Sequence, residues 1–108
     1  MSLKIETGNV EVDVLLSYKL SYKVYLPENY NDPGTTFPLV LFLHGVGERG
    51  DDLDLVETHG LPKVIKSGEQ FPFITVAPQC PNQEWWSRAE MVKCLVYLVK
   101  KITKMYNV

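Results

Sequence analysis

An alternation of residue types over residues 10–26 constrains the fold more than any other feature of this sequence. Every even-numbered position in that stretch is apolar or aromatic, from Val10 through to Leu26. Because successive side chains of a strand point to opposite faces, a period of two predicts strand with one buried face. A single strand usually has about 3–10 residues. We therefore predict two antiparallel strands, or one bent strand, with a break near Leu15-Leu16-Ser17.

Two further apolar segments predict a parallel pair of strands. Leu39–Leu43 is apolar without alternation, as in a strand that is covered on both faces. The segment from Phe71 to Ala77 predicts a second buried strand, which Pro78 ends. Between the two, Pro62–Lys66 favours a short helix, since Pro is common near a helix start. A strand, a crossover that contains a helix and a second strand together indicate parallel pairing.

The last part of the sequence predicts one long amphipathic helix, from about Arg88 to about Tyr106. Ser87 and Glu90 have the Ser-x-x-Glu spacing of a capping box, in which each side chain bonds the backbone of the other residue. A hydrophobic staple and one apolar stripe at helical spacing complete the pattern. The staple would join Trp86 to Met91, and the stripe consists of Met91, Leu95, Leu98, Ile102 and Met105.

Length and composition favour a single small soluble domain in the cytoplasm. The 108 residues include 45% apolar residues and have a formal net charge of -2, with 11 basic residues interspersed among 13 acidic ones. No basic block is present that would bind nucleic acid or an anionic membrane surface. Neither a signal peptide nor an apolar run of ~20 residues is visible, so we expect no membrane span. Cys80 and Cys94 are expected to be reduced thiols, with Cys94 in the core stripe of the helix.

Three other functional interpretations fit the sequence less well. Residues 45–50 match the dinucleotide-binding pattern G-x-G-x-x-G, with Glu69 about 20 residues further on. That pattern requires a helix that starts inside it, whereas Gly50 is followed by an acidic segment without an apolar helix face. A cluster of possible metal ligands matches no calcium loop and no zinc set. Cys94 as a nucleophile is disfavoured by its place on the helical stripe. The possible metal ligands are Asp51, Asp52, Asp54, Glu57 and His59.

Several motifs in a fixed order, from about Leu20 onward, carry a family resemblance. They are Tyr25-Leu26-Pro27-Glu28-Asn29-Tyr30, the run from Phe37 to Asp52 that contains His44-Gly45-Val46-Gly47, then Thr58-His59-Gly60, Val76-Ala77-Pro78-Gln79-Cys80-Pro81 and Trp85-Trp86. Together they resemble the α/β-hydrolase superfamily. The group that looks nearest is the phospholipase/carboxylesterase and polyhydroxybutyrate-depolymerase-like esterases, some of them described as predicted peptidases.

The resemblance implies an α/β fold, with residues 1–108 as the amino-terminal half of one three-layer α/β-hydrolase-type domain. Its sheet would have an antiparallel start, followed by parallel strands with crossover helices. The Phe73–Ala77 strand would lie between the antiparallel start and Leu39–Leu43. The outer side of Leu39–Leu43 would then pair with the strand that carries the nucleophile in such enzymes.

The resemblance also implies roles for the backbone of the turn after Leu43. The amide of Val46, with that of Gly47 second, would donate to the oxyanion of an acyl-transfer reaction. His44 and Gly45 would support the turn, so His44 would not be the catalytic base.

Four side chains around that turn have two interpretations each. Glu48 and Arg49 would pair to hold the loop, or remain a solvated charged pair. Trp85 and Trp86 would form a wall of the substrate pocket. For Trp86 the alternative is that it only staples the start of the helix, and we favour this alternative.

The catalytic triad of the family is not encoded in these residues. The nucleophile motif Gly-x-Ser-x-Gly does not occur, and both histidines, His44 and His59, precede the place where it would come. The chain thus resembles the half of a serine carboxylesterase that supplies the oxyanion hole but not the nucleophile, acid or base. A small ester would be the substrate of the complete enzyme, and neither a cofactor nor a metal is implied. This half alone is expected to be inactive.

A non-catalytic hydrolase-like module is the alternative function. A central apolar strand that is left at the edge of a sheet is a template for another chain. We therefore expect a homo-oligomer, strand exchange or complementation through the Leu39–Leu43 edge.

Overall fold

The first two strands form an antiparallel pair. A computed structural model describes residues 4–13 and 17–108 of the chain. Strand β1 (Lys4–Asp13) pairs with β2 (Ser17–Leu26), so that Lys4 lies opposite Leu26 and Val10 opposite Leu20. Of the two alternatives predicted from the sequence, two antiparallel strands are therefore confirmed, and one bent strand is wrong. Of the predicted break, Leu15 and Leu16 lie outside the described residues, and Ser17 begins β2.

The four strands form one mixed sheet in the order β1-β2-β4-β3. Strand β3 (Leu39–Leu41) lies parallel to β4 (Ile74–Pro78), and β4 is antiparallel to β2. Helix α1 (Gly60–Lys66) lies in the crossover between β3 and β4. The resemblance implied that the strand after the crossover would lie between the antiparallel start and the Leu39–Leu43 strand. The observed strand order confirms this position.

Strand β3 is shorter and less buried than predicted. All three of its residues are only partly buried, and Leu43 is exposed. The expectation of a strand covered on both faces over Leu39–Leu43 is therefore wrong, because the described elements do not fully cover this segment. Strand β3 does lie at an edge of the described sheet, as the sequence led us to expect. The backbone leaves the ladder soon afterwards, with a last hydrogen bond from Phe42 N to Val76 O (2.9 Å).

Side chains pack on both faces of the sheet, which gives three layers. On one face, Leu20, Tyr22, Val24 and Leu26 of β2 meet helix α2 (Ala89–Met105) in the larger core. On the other face, Tyr25 and Ala77 pack against Val56 and Ile65, which come from the crossover. Both faces of β2 are consequently buried near its end, where the alternation predicted only one.

Helix α2 confirms the predicted span but not the predicted cap. Its N-cap is Arg88 rather than Ser87, and no side chain caps it. Glu90 lies near the Arg88 guanidinium (3.8 Å) instead of reaching back to a Ser87 backbone amide, so the capping box is wrong. Most of the predicted stripe is buried, whereas Met105 at the end of the helix is exposed.

Two short 3-10 helices, Val46–Glu48 and Leu53–Glu57, shape the segment between β3 and α1. The sequence analysis predicted neither of them. Both cysteines are buried free thiols, and Cys94 lies in the core as predicted. None of the helices within residues 4–13 and 17–108 is long and apolar enough to cross a bilayer.

Candidate functional site

The turn that follows β3 presents two backbone N–H groups without a partner. His44-Gly45 leads into the 3-10 helix Val46–Glu48, whose own hydrogen bond runs from Glu48 N to Gly45 O (3.4 Å). Across the described residues, the N–H groups of Val46 and Gly47 donate to no protein atom. Because the Val46 side chain is 65% exposed, the turn lies open to solvent on this side. The turn therefore offers two adjacent donors at the carboxyl end of a parallel strand.

His44 is buried below this turn and uses both ring nitrogens for structure. Cys80 N–H donates to Nε2 (2.9 Å), and Nδ1 lies 2.6 Å from Gly45 O. An amide N–H can only donate, so Nε2 accepts and Nδ1 must carry the proton that Gly45 O accepts. With this assignment the neutral ring joins the turn at Gly45 to the backbone of Cys80. Neither nitrogen is left to act as a base.

Arg49 ties the turn to the segment that follows β4. Its Nε donates to Val46 O (3.1 Å) and its Nη1 donates to Glu84 O (3.1 Å). The guanidinium also lies over the Trp85 ring, 5.1 Å from the centroid. A planar cation with several donors can bond two carbonyls and stack on a ring at the same time.

Glu48 does not pair with Arg49, so that part of the sequence interpretation is wrong in both of its forms. Glu48 is buried, and in the described structure Nε2 of the exposed His59 lies 3.8 Å from its Oε1. Its backbone carbonyl accepts from Gln79 Nε2 (2.9 Å), which also donates to Asp52 O (2.7 Å). The loop is held through its backbone carbonyls, by Gln79 at Glu48 O and by Arg49 at Val46 O. The Glu48 carboxylate is not needed for this and faces inwards.

A small, mainly apolar cavity of 80 Å³ opens beside the turn. Trp86 closes one side of it: the indole N–H donates to His44 O (3.0 Å) and the ring stands edge-on to His44 at 5.2 Å. Trp86 therefore does more than staple α2, although it also packs on the core beneath that helix. Trp85 remains exposed beside it. The residues that line the cavity are His44, Gly45, Val46, Arg49, Cys80, Glu84, Trp85 and Trp86.

Six of the eight residues singled out from the sequence therefore line one cavity, while Gly47 and Glu48 lie in the adjoining turn. Sequence reasoning missed the contributions of Gln79, Cys80 and Glu84. Gln79 carried a usable signal, because it is a polar residue directly after a fully buried strand. Cys80 and Glu84 act through backbone N–H and C=O groups, which leave no mark on residue type.

Two acidic residues of the crossover, Asp54 and Glu57, form ion pairs on the other face of the sheet. Lys23 Nζ lies 2.7 Å from Asp54 Oδ1 and 3.1 Å from Glu57 Oε1, and the Tyr25 hydroxyl donates to Glu57 Oε2 (2.7 Å). Burial opposes the charge of Lys23, but the hydrogen bonds to both carboxylates outweigh it and raise the pKa of Lys23. Within the described ranges, no three His, Cys, Asp or Glu side chains form a group that could hold a metal ion. The cluster joins the crossover to β2.

Comparison with solved structures identifies the architecture. Over 94% of this chain, the structure of a thermostable esterase superposes with a TM-score of 0.68 at 26% sequence identity. The structure of a ferulic acid esterase matches all of this chain with a TM-score of 0.61 at 22% identity. The chain has an esterase-like hydrolase fold.

The match is to part of each esterase. The chain covers 31% of the thermostable esterase and 46% of the ferulic acid esterase. It therefore spans less than half the length of either structure. No protein-family model matches the chain, and no curated protein does.

Proposed function

We propose that this chain is the amino-terminal part of a carboxylic-ester hydrolase that works through an acyl-serine, and that the amides of Val46 and Gly47 form its oxyanion hole. The observation that carries the proposal is the pair of unpartnered N–H groups at the end of β3, next to an apolar cavity. The esterase-like fold supports it, since both matched structures are esterases. The nucleophile, acid and base would come from residues outside these 108.

The proposed reaction transfers an acyl group from an alcohol to serine and then to water. Attack of the serine on the ester carbonyl places negative charge on the carbonyl oxygen, and fixed amide donors stabilise this charge where it develops. The loss of one such donor typically slows catalysis by about 10²–10³-fold. Trp85 and Trp86 would contact the acyl or alcohol group of a small ester in the apolar cavity. This chemistry assigns no step to a cofactor or a metal ion.

A titration of the ¹⁵N-labelled chain with dimethylphosphinate tests the oxyanion assignment. This monoanion is tetrahedral and has an oxygen that resembles the oxyanion of the reaction. We expect the amide resonances of Val46 and Gly47 to shift in a saturable way, while those of Gly34 and Gly68, on distant turns, do not. Shifts that are equal at all four glycine and valine positions, or absent at Val46 and Gly47, would contradict the assignment.

Ester hydrolysis gives a second test of the same proposal. The purified chain is expected to leave short-chain p-nitrophenyl esters intact, because it contains no serine in a nucleophile motif. The control is a variant in which all five serines, Ser2, Ser17, Ser21, Ser67 and Ser87, are replaced by alanine. Turnover that survives in this variant would exclude the acyl-serine mechanism for this chain.

A second candidate function, association through the open edge of the sheet, rests on a different observation. The outer side of β3 pairs with no strand in the described structure, and an entirely apolar groove lies between this strand and α2. An exposed strand edge beside apolar surface favours pairing with another chain. We propose a second copy of this chain as the occupant, by strand pairing or exchange. The groove is lined by Leu41, Val92, Leu95, Val96, Val99 and the side chain of Lys100.

Sedimentation velocity over a range of concentrations tests this candidate. We expect a concentration-dependent dimer that Val96→Lys abolishes, because the substitution places a charge in the groove. Val64→Lys is the matched control, since Val64 is an exposed valine on α1, away from the groove. A chain that stays monomeric at high concentration would contradict self-association.

The cytoplasmic location expected from the sequence stays a prediction.

A further inference from the structure

We propose that Arg49 is a positioning residue for the oxyanion hole: it fixes the direction of the Gly47 N–H group through the carbonyl of Val46. This inference rests on the proposed function, in which that N–H group is one of two donors. Nothing in the sequence assigned Arg49 this role, because the expected partner of its charge was Glu48.

The planarity of the peptide bond carries the first step. Val46 C=O and Gly47 N–H belong to one peptide unit, and in a trans unit they point in opposite directions. Arg49 Nε donates to Val46 O over 3.1 Å. The hydrogen bond therefore holds the whole plane and directs the Gly47 N–H away from the guanidinium.

The guanidinium is itself held from a second segment of the chain. Its Nη1 donates to Glu84 O (3.1 Å), and its plane lies over the exposed Trp85 ring. Arg49 is only partly exposed. These contacts fix the side chain in place, so the direction of the Gly47 N–H depends on the segment after β4 as well as on its own turn.

Among the described residues, little else holds this plane. The hydrogen bond from Glu48 N to Gly45 O (3.4 Å) closes the turn around the Val46–Gly47 peptide but bonds neither of its polar groups. A β-carbon placed on Gly47 would meet no atom within 4 Å, so this side of the residue is open. Because glycine has the widest conformational freedom of any residue, we expect the peptide to reorient within the turn when the bond from Arg49 is lost.

The neighbouring peptide is held independently. Gly45 O accepts from His44 Nδ1 (2.6 Å) and from Glu48 N (3.4 Å), which directs the Val46 N–H. The His44 ring is anchored in turn by Cys80 N–H. The Val46 and Gly47 N–H groups are thus oriented by different hydrogen bonds. Both sets of bonds are needed, because two amides stabilise one oxygen only when their N–H directions converge.

Backbone ¹⁵N relaxation and residual dipolar couplings on the 108-residue chain measure this directly. In the wild-type chain we expect an order parameter of about 0.85 for both Val46 and Gly47, as in rigid backbone. In Arg49→Gln the value for Gly47 should fall below about 0.6, with averaged couplings, while Val46 keeps its value. The matched control is Arg88→Gln, which removes the same charge from the other arginine, itself paired with Glu84 (3.3 Å). Arg88→Gln should leave both amides unchanged.

A conservative variant and chemical rescue separate positioning from a general effect on the loop. Arg49→Lys keeps the charge but has one nitrogen in place of the separate Nε and Nη1 donors and no planar group to lie over Trp85, so Gly47 should again lose order. This variant also supplies the measurement if Arg49→Gln does not fold. Added ethylguanidinium should restore the Gly47 order parameter in Arg49→Gln and should have no effect on Arg88→Gln.

The dimethylphosphinate titration distinguishes failure of this inference from failure of the proposed function. Arg49→Gln should bind the anion at least about threefold more weakly than the wild-type chain. An ordered Gly47 amide in both Arg49 variants, or equal disorder of Val46 and Gly47, would overturn the role of Arg49. A wild-type chain whose Gly47 is rigid but whose two amides ignore the anion would overturn the oxyanion assignment and leave the positioning geometry intact.

Discussion

Gly60, at the start of α1, is required for two separate reasons. Its φ of +69° is disfavoured for residues with a β-carbon, and a β-carbon there would lie 2.7 Å from Cζ of Phe42. Gly34 shares the first feature, with φ +73°, but has no atom within 4 Å of that position. The pair therefore separates backbone conformation from crowding.

We predict that Gly60→Ala lowers the free energy of unfolding by about 2–5 kcal/mol, the sum of backbone strain and overpacking. Gly34→Ala should lower it by only about 1–2 kcal/mol, from strain alone. Urea unfolding followed by circular dichroism measures both values. Equal losses in the two variants would show that Phe42 moves aside without strain.

Glu57 is the other residue on which a stability prediction rests. Its side chain is 11% exposed and lies between Lys23, Tyr25 and Lys66. Burial alone would raise the pKa of the Glu57 carboxyl, but the hydrogen bonds from Tyr25 and Lys23 and the charges of both lysines outweigh it. The pKa therefore lies below its ordinary value of 4.5.

A carboxyl whose pKa is lowered by folding stabilises the protein above its unfolded-state pKa, and this contribution is lost as the pH falls through the folded-state pKa. We predict that Glu57→Gln is less stable than the wild-type chain by about 1–3 kcal/mol at pH 7. The difference should shrink as the pH is lowered below 4.5. Urea unfolding at a series of pH values measures it, with the exposed Glu69→Gln as the control. A difference that is independent of pH would mean that shape, and not charge, matters at Glu57.

At the scale of elements, α2 has one face in the core and one along the open edge of the sheet. Leu98 is fully buried in the core, whereas Val96 is 48% exposed beside β3. The two residues lie on the same helix and differ mainly in burial. Truncation to alanine improves helix propensity more for valine than for leucine, by about 0.5 kcal/mol at most, so a larger difference between the two variants measures packing.

We predict that Leu98→Ala lowers the free energy of unfolding by about 2–5 kcal/mol, because it removes buried methyl groups and leaves a cavity. Val96→Ala should change it by less than about 0.5 kcal/mol in the monomer. Chemical unfolding at low protein concentration, where association is weak, measures both. A large loss in Val96→Ala under these conditions would mean that the groove is already filled within one chain.

At the scale of the whole molecule, the two thiols report on cooperative unfolding. Burial raises the pKa of the Cys80 thiol to about 11, although the Arg49 charge opposes the shift and the Glu84 charge adds to it. Burial also raises the pKa of Cys94, which lies in the core under α2. Because the thiolate is the reactive form, both groups are protected in the folded chain.

We predict that an aromatic disulfide reagent at pH 8 labels the folded chain at least about 100-fold more slowly than the chain in concentrated urea. Both thiols should become reactive together across the urea transition. The absorbance of the released thiolate measures the rate, and Cys94→Ala assigns it to one site. Fast labelling of Cys80 alone in the folded chain would show that the small cavity opens without global unfolding.

The order of the strands followed from the sequence, and the exposure of β3 did not. The crossover predicted parallel pairing, and the resemblance implied the place of β4 between β2 and β3, which the structure has. Burial of Leu39–Leu43 was overestimated, because an apolar run without alternation does not show how far other elements cover its two faces. That coverage depends on residues distant in sequence, and the run itself carries no information about them.

Of the candidate site, too, the sequence predicted one part and missed another. The family resemblance implied that the turn at His44-Gly45-Val46-Gly47 and the two tryptophans border one pocket. The partner of Arg49 was not predicted, because Glu84 accepts through its backbone carbonyl across 35 residues of sequence. Likewise, the Ser87 capping box failed because Glu90 lies beside Arg88 instead.

By itself, the sequence determined the antiparallel start, the long amphipathic helix and the place of the glycine-rich turn. These features depend on the local period of apolar residues and on the backbone freedom of glycine. Both can be seen in short stretches of sequence. Only the tertiary structure decided that Glu48 turns inwards, that Arg49 holds the Val46 carbonyl and that two amides are left without partners among the described residues. The first two outcomes involve hydrogen bonds to backbone carbonyls across 31 and 35 residues of sequence, from Gln79 to Glu48 and from Arg49 to Glu84, and every residue type carries the same backbone.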